Sequence, residues 1–410
     1  MRKLMRTLAL VASLLCLSLP PRSASGAGAT FTVNSTADPG DGTCNAEQCT
    51  LREALLAAAA SGGTDTVAFD IPDTDLNYGY HTPGVWTIVL GTKLAPLPNM
   101  SEVIDGTSQP VNYGSDTNPY GPEIEISGEN LAAGQDCWSV GALSNNTMKG
   151  LVINRCPAYG LMIQGQYNLI IGNYVGTDAT GSTDQGAGLD GIALGSGAAN
   201  NTIGGAGLGE GNLLSGNRSG VRVYGSSTHD NVIVGNLMGT DRTGRFAVGN
   251  SASGVEIHAA AYDNIVGPGN VIAYNVQRGV YVYGAGSTGN TITQNSIHSN
   301  AGLGIQVVGT DSDLAAPTVT KLCCFSGAGT AGPDLVIEVF SDSASQGRIY
   351  VGTTNSNSSG EFDFSPSLGF FPLPYVTLTA TDHNGNTSQF STAVATGCRH
   401  IYVPLVTKSY

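Results

Sequence analysis

The sequence predicts an all-β protein whose central part is a solenoid of stacked coils. A Gly-aliphatic-x-aliphatic pattern recurs six times between residues 160 and 307, and an Asn-x-Ile/Val pattern alternates with it. Each copy has the two-residue alternation of a strand with one buried face, and the Gly and Asn residues between the runs permit sharp turns. No stretch between residues 160 and 308 shows helical spacing. One such unit cannot bury its apolar face alone, so the copies must stack.

Residues 1–27 have the features of a secretory signal peptide. Arg2, Lys3 and Arg6 form a basic start, an apolar run covers residues 8–19, and small residues surround the expected cleavage site near Ala27. The apolar run is too short to be a membrane anchor, and no later stretch is long enough to cross a bilayer. We therefore expect a secreted protein, extracellular or on the cell surface, without a transmembrane segment.

Residues 28–65 are predicted to cap the open end of the solenoid. A short strand begins at Phe31, and Thr50 and Glu53 have the spacing of a capping box at the start of a helix. Strong helix formers continue to Ala60, and Ser61-Gly62-Gly63 then ends the helix. Such a helix would cover the unpaired strand edge of the first coil.

The coils are predicted to extend over residues 66–312. Strand-like runs begin at Val67, Trp86, Val103, Ile124 and Leu151, and long loops are expected within residues 74–122, which are rich in Tyr, Pro, Asn and Gly.

Two insertions resemble each other, Gly-Thr-Asp-Ala-Thr-Gly at 176–181 and Gly-Thr-Asp-Arg-Thr-Gly at 239–244. Residues 316–398 change to alternating runs with turns about every ten residues, which predicts an Ig-like antiparallel β-sandwich. The apolar tail, residues 399–410, is expected to be a last strand, with a sorting signal as the alternative.

Part of the sequence resembles a known family. Residues 49–54, Cys-Thr-Leu-Arg-Glu-Ala, are similar to the Cys-Ser-Leu-Arg-Glu-Ala (CSLREA) motif of the bacterial secreted proteins named for it, with Thr50 in place of serine. Residues 103–110 and 171–178 resemble the same proteins. The resemblance covers nearly the whole mature chain and implies a right-handed parallel β-helix of the pectin-lyase-like class. It implies no particular reaction, because most such proteins have none assigned.

The chain is acidic. It has 410 residues with 17 basic and 31 acidic side chains, a net charge of −14. Removal of the signal peptide leaves 13 basic residues and a net charge of about −18. This balance argues against nucleic acid or an anionic membrane as a partner, and an acidic polysaccharide would need a local basic patch.

Cysteines outside the signal peptide are expected to form disulfides, as is usual in secreted proteins. Cys44 and Cys49 would close a short loop, and Cys137 and Cys156 would join neighbouring coils. Cys398 would pair with either Cys323 or Cys324, which leaves one thiol unpaired. The spacing fits no common zinc site.

Outward-facing side chains of the repeat are expected to form two exposed columns, because alternate residues of a strand point to opposite faces. The first column comprises Met162, Ala193, Arg222, Glu256, Tyr281 and Gln306. The second comprises Gln164, Gly195, Tyr224, His258, Tyr283 and Val308. Together they predict a ligand-binding patch of Arg222, Tyr224, Glu256, His258, Tyr281 and Tyr283.

Sugar binding is the functional interpretation of this patch, because tyrosine rings stack on sugar faces. Glu256 or His258 could then act as acid or base, and Arg222 could neutralise a uronate carboxylate. The alternative is an ordinary exposed sheet face with an Arg222–Glu256 ion pair. A second acid or base that converges on the patch would favour catalysis.

The acidic loops offer a possible calcium site at Asp178, Asp184 and Asp241, with Asp190 nearby, and no other cofactor is expected. Because Asp178 and Asp241 occupy equivalent positions of the two insertions, a turn-forming role is the stronger interpretation. The asparagines at the coil turns are expected to stack as hydrogen-bonded ladders.

The leading functional prediction is a non-catalytic one: recognition of an extracellular polysaccharide or cell-envelope component, or a structural role in the envelope, by a monomer. The rival is a carbohydrate-active enzyme, namely a polysaccharide lyase, epimerase or glycoside hydrolase. A third possibility is an adhesin whose sandwich makes the contacts. Fold alone does not choose among them.

Overall fold

A computed structural model of the protein describes residues 28–97, 101–142 and 144–397. Within these ranges, parallel strands stack in three sheets, here called A, B and C, which follow one another around each coil. An antiparallel β-sandwich follows the coils. The predicted fold class, a right-handed parallel β-helix with an N-terminal helical cap and a C-terminal sandwich that fits an Ig-like module, is confirmed. The predicted signal peptide lies outside the described residues.

The strands of the coils are short and in register from coil to coil. Sheet A comprises β1 (Thr30–Val33), β2 (Thr66–Phe69), β4 (Val103–Asp105), β7 (Thr147–Lys149), β10 (Leu169–Ile171), β13 (Thr202–Gly204), β16 (Val232–Val234), β19 (Ile265–Val266) and β22 (Thr291–Ile292). Sheet B comprises β3 (Trp86–Val89), β5 (Ile124–Ser127), β8 (Leu151–Asn154), β11 (Tyr174–Val175), β14 (Leu213–Leu214), β17 (Leu237–Met238), β20 (Val271–Ala273) and β23 (Ser296–His298). Sheet C comprises β6 (Trp138–Gly141), β9 (Leu161–Ile163), β12 (Ile192–Leu194), β15 (Val221–Tyr224), β18 (Val255–His258), β21 (Val280–Tyr283) and β24 (Ile305–Val308).

Aliphatic side chains of all three sheets fill the interior of the coils in one continuous core. In β15, for example, Val221 and Val223 are fully buried, whereas Arg222 and Tyr224 between and after them are half-buried. Full burial of one such aliphatic side chain contributes roughly 1.5–3 kcal/mol. The two-residue alternation in the sequence therefore determines which side chains enter the core.

Asparagine side chains form ladders at the three corners of the described coils, as the sequence predicts. The first ladder, before sheet A, comprises Asn146, Asn168, Asn201, Asn231, Asn264 and Asn290. The second, before sheet B, comprises Asn173, Asn212, Asn236, Asn270 and Asn295. The third, before sheet C, comprises Asn250, Asn275 and Asn300. Each Nδ2 donates to the Oδ1 of the next coil at 2.8–3.1 Å, so the buried amides satisfy one another.

The N-terminal cap has the predicted helix, α1 (Leu51–Ala60). The Thr50 hydroxyl accepts from the Glu53 amide, and Glu53 Oε2 accepts from the Thr50 amide at 2.8 Å, which confirms the capping box. Arg52 holds Asp38 through Nε and Nη2 at 2.8 and 2.9 Å. Strand β1 of the cap pairs in parallel with β2, so the cap also begins sheet A.

A second helix, α2 (Ser108–Tyr113), lies in the loop between β4 and β5. The sequence predicts only long loops in this segment, and the Pro110 within it obscures the short helix. Neither α1 nor α2, the helices of the described residues, is long and apolar enough to cross a membrane.

The sandwich is built from antiparallel strands. One sheet comprises β25 (Thr318–Leu322), β26 (Gly327–Thr330) and β29 (Glu361–Phe364). The other comprises β28 (Ile349–Asn355), β27 (Val336–Asp342), β30 (Tyr375–Thr381) and β31 (Val394–Ala395). Side chains of both sheets share a core of their own, which includes Val339, Phe362 and Leu378.

The sandwich completes hydrogen bonds that the last coil leaves open. Gln346 Oε1 accepts from Asn300 Nδ2 at 3.0 Å, so a sandwich residue ends the third ladder. Glu338 of β27 is buried against the coil and accepts from the Thr293 hydroxyl and the Gln294 amide. The sandwich therefore covers the C-terminal end of the solenoid.

The predicted disulfides Cys44–Cys49 and Cys137–Cys156 are present. Cys324 is also disulfide-bonded, whereas Cys323 has an exposed free thiol. The predicted partner Cys398 and the tail, residues 399–410, lie outside the described residues.

Replacement of Asn236 by Ala tests the ladders. Asn236 Oδ1 accepts from the backbone and side-chain amides of Asn212, and its Nδ2 donates to Asn270. We expect Asn236→Ala to lower the free energy of unfolding by about 2–4 kcal/mol, because it leaves the buried amide of Asn212 unpaired and removes the side-chain hydrogen bond to Asn270. Denaturant unfolding measures this loss. Asn355→Ala, at an exposed position of β28, is the control and should change stability by less than about 0.5 kcal/mol. Equal stability of the two variants would contradict the prediction.

Because the carboxyl group of Glu338 is buried, we expect the stability of the folded protein to depend on pH. Burial raises the pKa of Glu338 above its ordinary value of 4.5, and the hydrogen bonds from Thr293 and Gln294 offset this only in part. A carboxyl group whose pKa is raised by folding gives its full stabilisation below the unfolded pKa, and this is lost as the pH rises through the folded pKa. We expect Glu338→Gln to flatten the fall in melting temperature as the pH rises above 4.5. Parallel curves for the two proteins between about pH 4 and pH 8 would contradict this.

Candidate functional site

The outer face of sheet C has the register that the sequence predicts. Ala193 pairs with Met162 and with Arg222, and the column continues through Glu256, Tyr281 and Gln306. Tyr224, His258, Tyr283 and Val308 pair in the same way two residues further along. The strand register therefore brings all six residues of the predicted patch onto adjacent coils.

The expected exposure of the first column is wrong for three of its members. Met162, Ala193 and Glu256 are buried. The Tyr224 ring occupies the space beside Gly195, and its hydroxyl lies 3.8 Å from Met162 Sδ, so it leans back over the two preceding coils. Glu256 is covered because an arginine of a neighbouring turn binds it.

That arginine, Arg218, joins two buried carboxylates. Its Nη2 lies 2.9 Å from Asp190 Oδ1, donates to Asp190 Oδ2 at 3.1 Å, and donates to Glu256 Oε2 at 3.2 Å. Burial raises the pKa of Asp190, although Arg218 and Arg222 oppose the rise. Asp190 is thus a second acid that converges on the patch, but its charge is directed at Arg218.

Sequence reasoning missed Asp190 and Arg218 as members of this site. Asp190 directly precedes the Gly191 repeat, and Arg218 lies two residues before the Gly220 repeat. Both therefore belong to turns from sheet B to sheet C, whose side-chain directions the strand alternation does not predict. Their place just before the repeat glycine is the one signal that links them to sheet C.

Arg222 makes the central contact of the site. Its Nε donates to His258 Nε2 at 2.8 Å, its Nη1 donates to the Tyr159 hydroxyl at 3.3 Å, and it lies 3.7 Å from Asp190 Oδ2. Burial lowers the pKa of His258 to about 4, and the charges of Arg222 and Arg218 add to this effect. His258 is therefore neutral at neutral pH, with Nε2 as the acceptor atom.

Aromatic rings form a continuous stack on this face. The His258 ring lies 5.9 Å from Tyr224 and 4.7 Å from Tyr283, and Tyr281 lies 4.3 Å from Tyr283, all within 20° of parallel. Arg222 lies over the Tyr224 ring at 4.8 Å, and Arg278 lies over the Tyr281 ring at 4.1 Å. Tyr224, His258 and Tyr283 lie on successive strands, so their part of the stack follows the axis of the solenoid. Tyr281 lies beside Tyr283 on the same strand.

The positively charged side chains of the site are more exposed than the negatively charged ones. Arg218 and Arg222 have 34% and 23% of their side-chain surface exposed, and Arg278 is half-buried. The carboxylates of Asp190 and Glu256 are 0% and 7% exposed. The accessible surface thus presents guanidinium groups and aromatic rings, although the chain as a whole is acidic. We call these residues the sheet-C cluster, which comprises Arg218, Arg222, Arg278, Asp190, Glu256, Tyr224, His258, Tyr281 and Tyr283.

The aspartates of the two insertions accept hydrogen bonds from backbone amides of their own turns. Asp178 Oδ1 accepts from the amides of Ser182 and Thr183, and Asp241 Oδ1 accepts from those of Arg245 and Phe246. Asp184 caps the amide of Gly186. The turn-forming role of Asp178 and Asp241 is confirmed. Calcium binding by Asp178, Asp184 and Asp241 stays a prediction.

A second polar cluster that the sequence does not predict lies on the outer face of sheet B. Glu125 is buried there and accepts from Thr87, Asn154 and Arg155, while His81 bridges it to Glu129 at 3.0 and 3.1 Å. Both oxygens of Glu125 are therefore bonded, which is typical of a structural network. It forms because the loop that carries His81 folds over the sheet.

Part of the chain matches the model of a known protein family. The family model described as "Periplasmic copper-binding protein (NosD)" matches residues 112–313, slightly less than half of the chain. No curated protein matches the sequence.

Solved structures that are similar to the chain are distant. A mutant of the periplasmic alginate epimerase AlgG has a TM-score of 0.37 and 14% identity, over 60% of this chain and 48% of its own. The enzymatically active domain of tailspike protein 2 of bacteriophage CBA120 has a TM-score of 0.28 and 11% identity, over 81% of this chain and 66% of its own. The chain thus spans about half the length of the epimerase. At these scores, nothing about activity follows.

The residues present do not fit the copper that the family description names. Copper sites in proteins use converging His, Cys or Met ligands. In the described part of the chain, no three His, Cys, Asp or Glu side chains converge as metal ligands would. His258 Nε2 already accepts from Arg222, and Cys323 has its exposed thiol on the sandwich. No step of the function is therefore assigned to a metal.

Replacement of Arg222 by Ala tests the electrostatics of the site. We expect the pKa of His258 to rise from about 4 toward its ordinary value of 6.5, because a neighbouring positive charge is removed. Titration of the imidazole protons by NMR measures the change, with His258→Ala to assign the signal. Arg245→Ala, at an exposed arginine of the 239–247 turn, should leave the value unchanged. A His258 pKa that does not move in Arg222→Ala would contradict the assigned contact.

Proposed function

We propose that the protein recognises an anionic polysaccharide outside the cytoplasm through the sheet-C cluster. The observation that carries the proposal is the convergence of Arg218, Arg222 and Arg278 beside a stack of aromatic rings, on a chain whose net charge is −14. A local basic patch of this kind is what an acidic sugar polymer requires of a protein with so acidic a composition.

The chemistry of the cluster fits a uronic-acid chain. Arginine presents several N–H donors in a plane and pairs well with carboxylates. Tyr281 and Tyr283 offer ring faces on which a sugar ring can stack. Because the stack follows the solenoid axis, an extended polymer could contact several coils at once, and weak contacts would add up along its length.

The expected location is extracellular, cell-surface or periplasmic. Three observations support it: the signal-like segment 1–27, the resemblance of residues 49–54 to the CSLREA-motif proteins, and the periplasmic family whose model matches residues 112–313. We propose a monomer that takes a polysaccharide or another cell-envelope component as partner, and no nucleic acid.

An enzyme that acts on a polysaccharide is the second candidate, and one observation favours it. Asp190 joins Glu256 and His258 within the cluster, so a second acid accompanies the first. His258 is neutral and has basic character, and Arg222 beside it could neutralise a substrate carboxylate. A lyase, an epimerase or a hydrolase are all compatible with these groups.

The test is binding of residues 28–410 to immobilised polygalacturonate and alginate, with neutral amylose as the control polymer. We expect retention on the acidic polymers, and loss of at least about tenfold in affinity for Arg222→Ala and for Arg278→Ala, because each removes a charged hydrogen-bond donor. Arg348→Ala, at an exposed arginine of the sandwich, should bind as the parent protein does. Retention should also fall as salt is added.

The same samples are assayed for new reducing ends and for the absorbance of unsaturated uronates. Epimerisation is followed by NMR of the recovered polymer. Product that disappears in His258→Ala or Glu256→Gln would establish the enzyme instead of the binding protein. If neither acidic polymer is retained, or if Arg348→Ala is as defective as Arg222→Ala, the proposed site is wrong.

A further inference from the structure

A groove of about 860 Å³ lies at the corner between sheets A and B, opposite sheet C in the cross-section of the solenoid. Its floor crosses the turns that connect the two sheets in five successive coils. At a strand spacing of about 4.8 Å, these coils extend over about 19 Å. The groove is therefore long enough for several units of an extended polymer. We call it the corner groove.

Glycines form the floor of the corner groove in one column. Extending the register of sheet B backwards by two residues, from Val152, Tyr174, Leu213 and Leu237, aligns Gly150, Gly172, Gly211 and Gly235 in neighbouring coils. Gly150, Gly172 and Gly235 have φ of 67°, 63° and 69°, a conformation that favours glycine. Without side chains, this column lets a ligand approach the backbone closely.

Glu123 stands at the head of the same column, since Ile124 pairs with Leu151. Its side chain is buried, with 3% of the residue exposed, and it lines the groove. Oε1 accepts from the Thr117 amide, whereas Oε2 has no hydrogen-bond partner among the described residues. The neighbouring position is Gly150, which has no side chain to donate. A buried acceptor without a partner is costly, and a ligand hydroxyl would satisfy it.

Burial raises the pKa of Glu123, and the hydrogen bonds from Thr117 offset this only in part. The carboxyl group can thus accept from, or in its protonated form donate to, a neutral polar ligand.

Arg242 supplies a second unused group on the side of the groove. Its guanidinium stacks over the Tyr120 ring at 4.6 Å, and the Tyr174 hydroxyl donates to the Tyr120 carbonyl at 2.7 Å, which fixes this wall. Among the described residues, the Arg242 guanidinium makes no hydrogen bond or ion pair. Leu208, at the other end, is fully exposed and offers an apolar surface.

We propose that the corner groove is a second binding site that takes a neutral, hydroxyl-rich oligosaccharide. A hydroxyl donates to Glu123 Oε2, ring and hydroxyl oxygens accept from Arg242, and a sugar face lies against Leu208 and the glycine column. The ligand is neutral because the groove also contains Asp116, so the carboxylates offset the single arginine. This site is independent of the sheet-C cluster, which contains three arginines and lies on another face.

The test is calorimetric titration of residues 28–410 with cellohexaose, mannohexaose and xylohexaose. We expect at least one of them to bind. Arg242→Ala should weaken that binding at least about tenfold, and Leu208→Ser about threefold. Leu208 is fully exposed, so its replacement cannot act through folding, and the melting temperature of Arg242→Ala is measured as a check on its fold.

The matched controls are Arg245→Ala, an exposed arginine of the same turn that does not line the groove, and Arg222→Ala of the sheet-C cluster. Both should bind the hexaose within about twofold of the parent protein. The proposal is overturned if no hexaose binds or if folded Arg242→Ala binds as tightly as the parent. It is also overturned if Arg222→Ala alone abolishes binding, since the neutral sugar then occupies sheet C.

Discussion

The buried asparagine amides at each corner of a coil depend on the neighbouring coils for their hydrogen bonds, and the solenoid depends on this constraint. Asn236, for instance, receives two hydrogen bonds from Asn212 and gives one to Asn270. A slip of one coil against its neighbour would break every such contact and leave polar groups unpaired in the interior, at a cost that apolar packing does not offset. The ladders therefore fix the register, and they make the ends of the solenoid the places that need covering. Gln346 of the sandwich does this for the third ladder.

A fixed register also determines the outer surface. Because strands of neighbouring coils are about 4.8 Å apart, outward side chains at one position become a column with the spacing of stacked rings. Tyr224, His258 and Tyr283 stack for this reason. The same alignment brings Arg222 beside His258 on the next coil. The sheet-C cluster is thus a consequence of the repeat, and only the identity of the outward residues distinguishes it from the rest of sheet C.

The sequence predicts those parts of the molecule in which side-chain direction follows from strand alternation. The register that aligns Arg222 with Glu256 and Tyr224 with His258 on neighbouring strands could be derived in this way. The capping box of α1 could be derived from its sequence spacing. The turns could not, because their side chains take directions that depend on contacts across coils. Asp190 and Arg218 lie in turns, and their ion pairs bury Glu256, which alternation alone places at the surface. The corner groove is not predicted for the same reason, since Arg242 lies on the 239–244 insertion and Leu208 lies in the loop between β13 and β14.

The burial of the two carboxylates in the sheet-C cluster helps to decide whether the protein binds a polysaccharide or hydrolyses it. Glycoside hydrolysis by two carboxylates needs both groups at the scissile bond, with room for a sugar between them. Asp190 and Glu256 instead share Arg218, and both are buried. A ligand would have to displace Arg218 to reach either of them, and that would leave two buried charges without their partner, which is strongly unfavourable. A polysaccharide that binds as proposed would meet the arginine donors and the tyrosine rings first. This arrangement favours recognition, or chemistry centred on His258, over acid–base work by the two carboxylates.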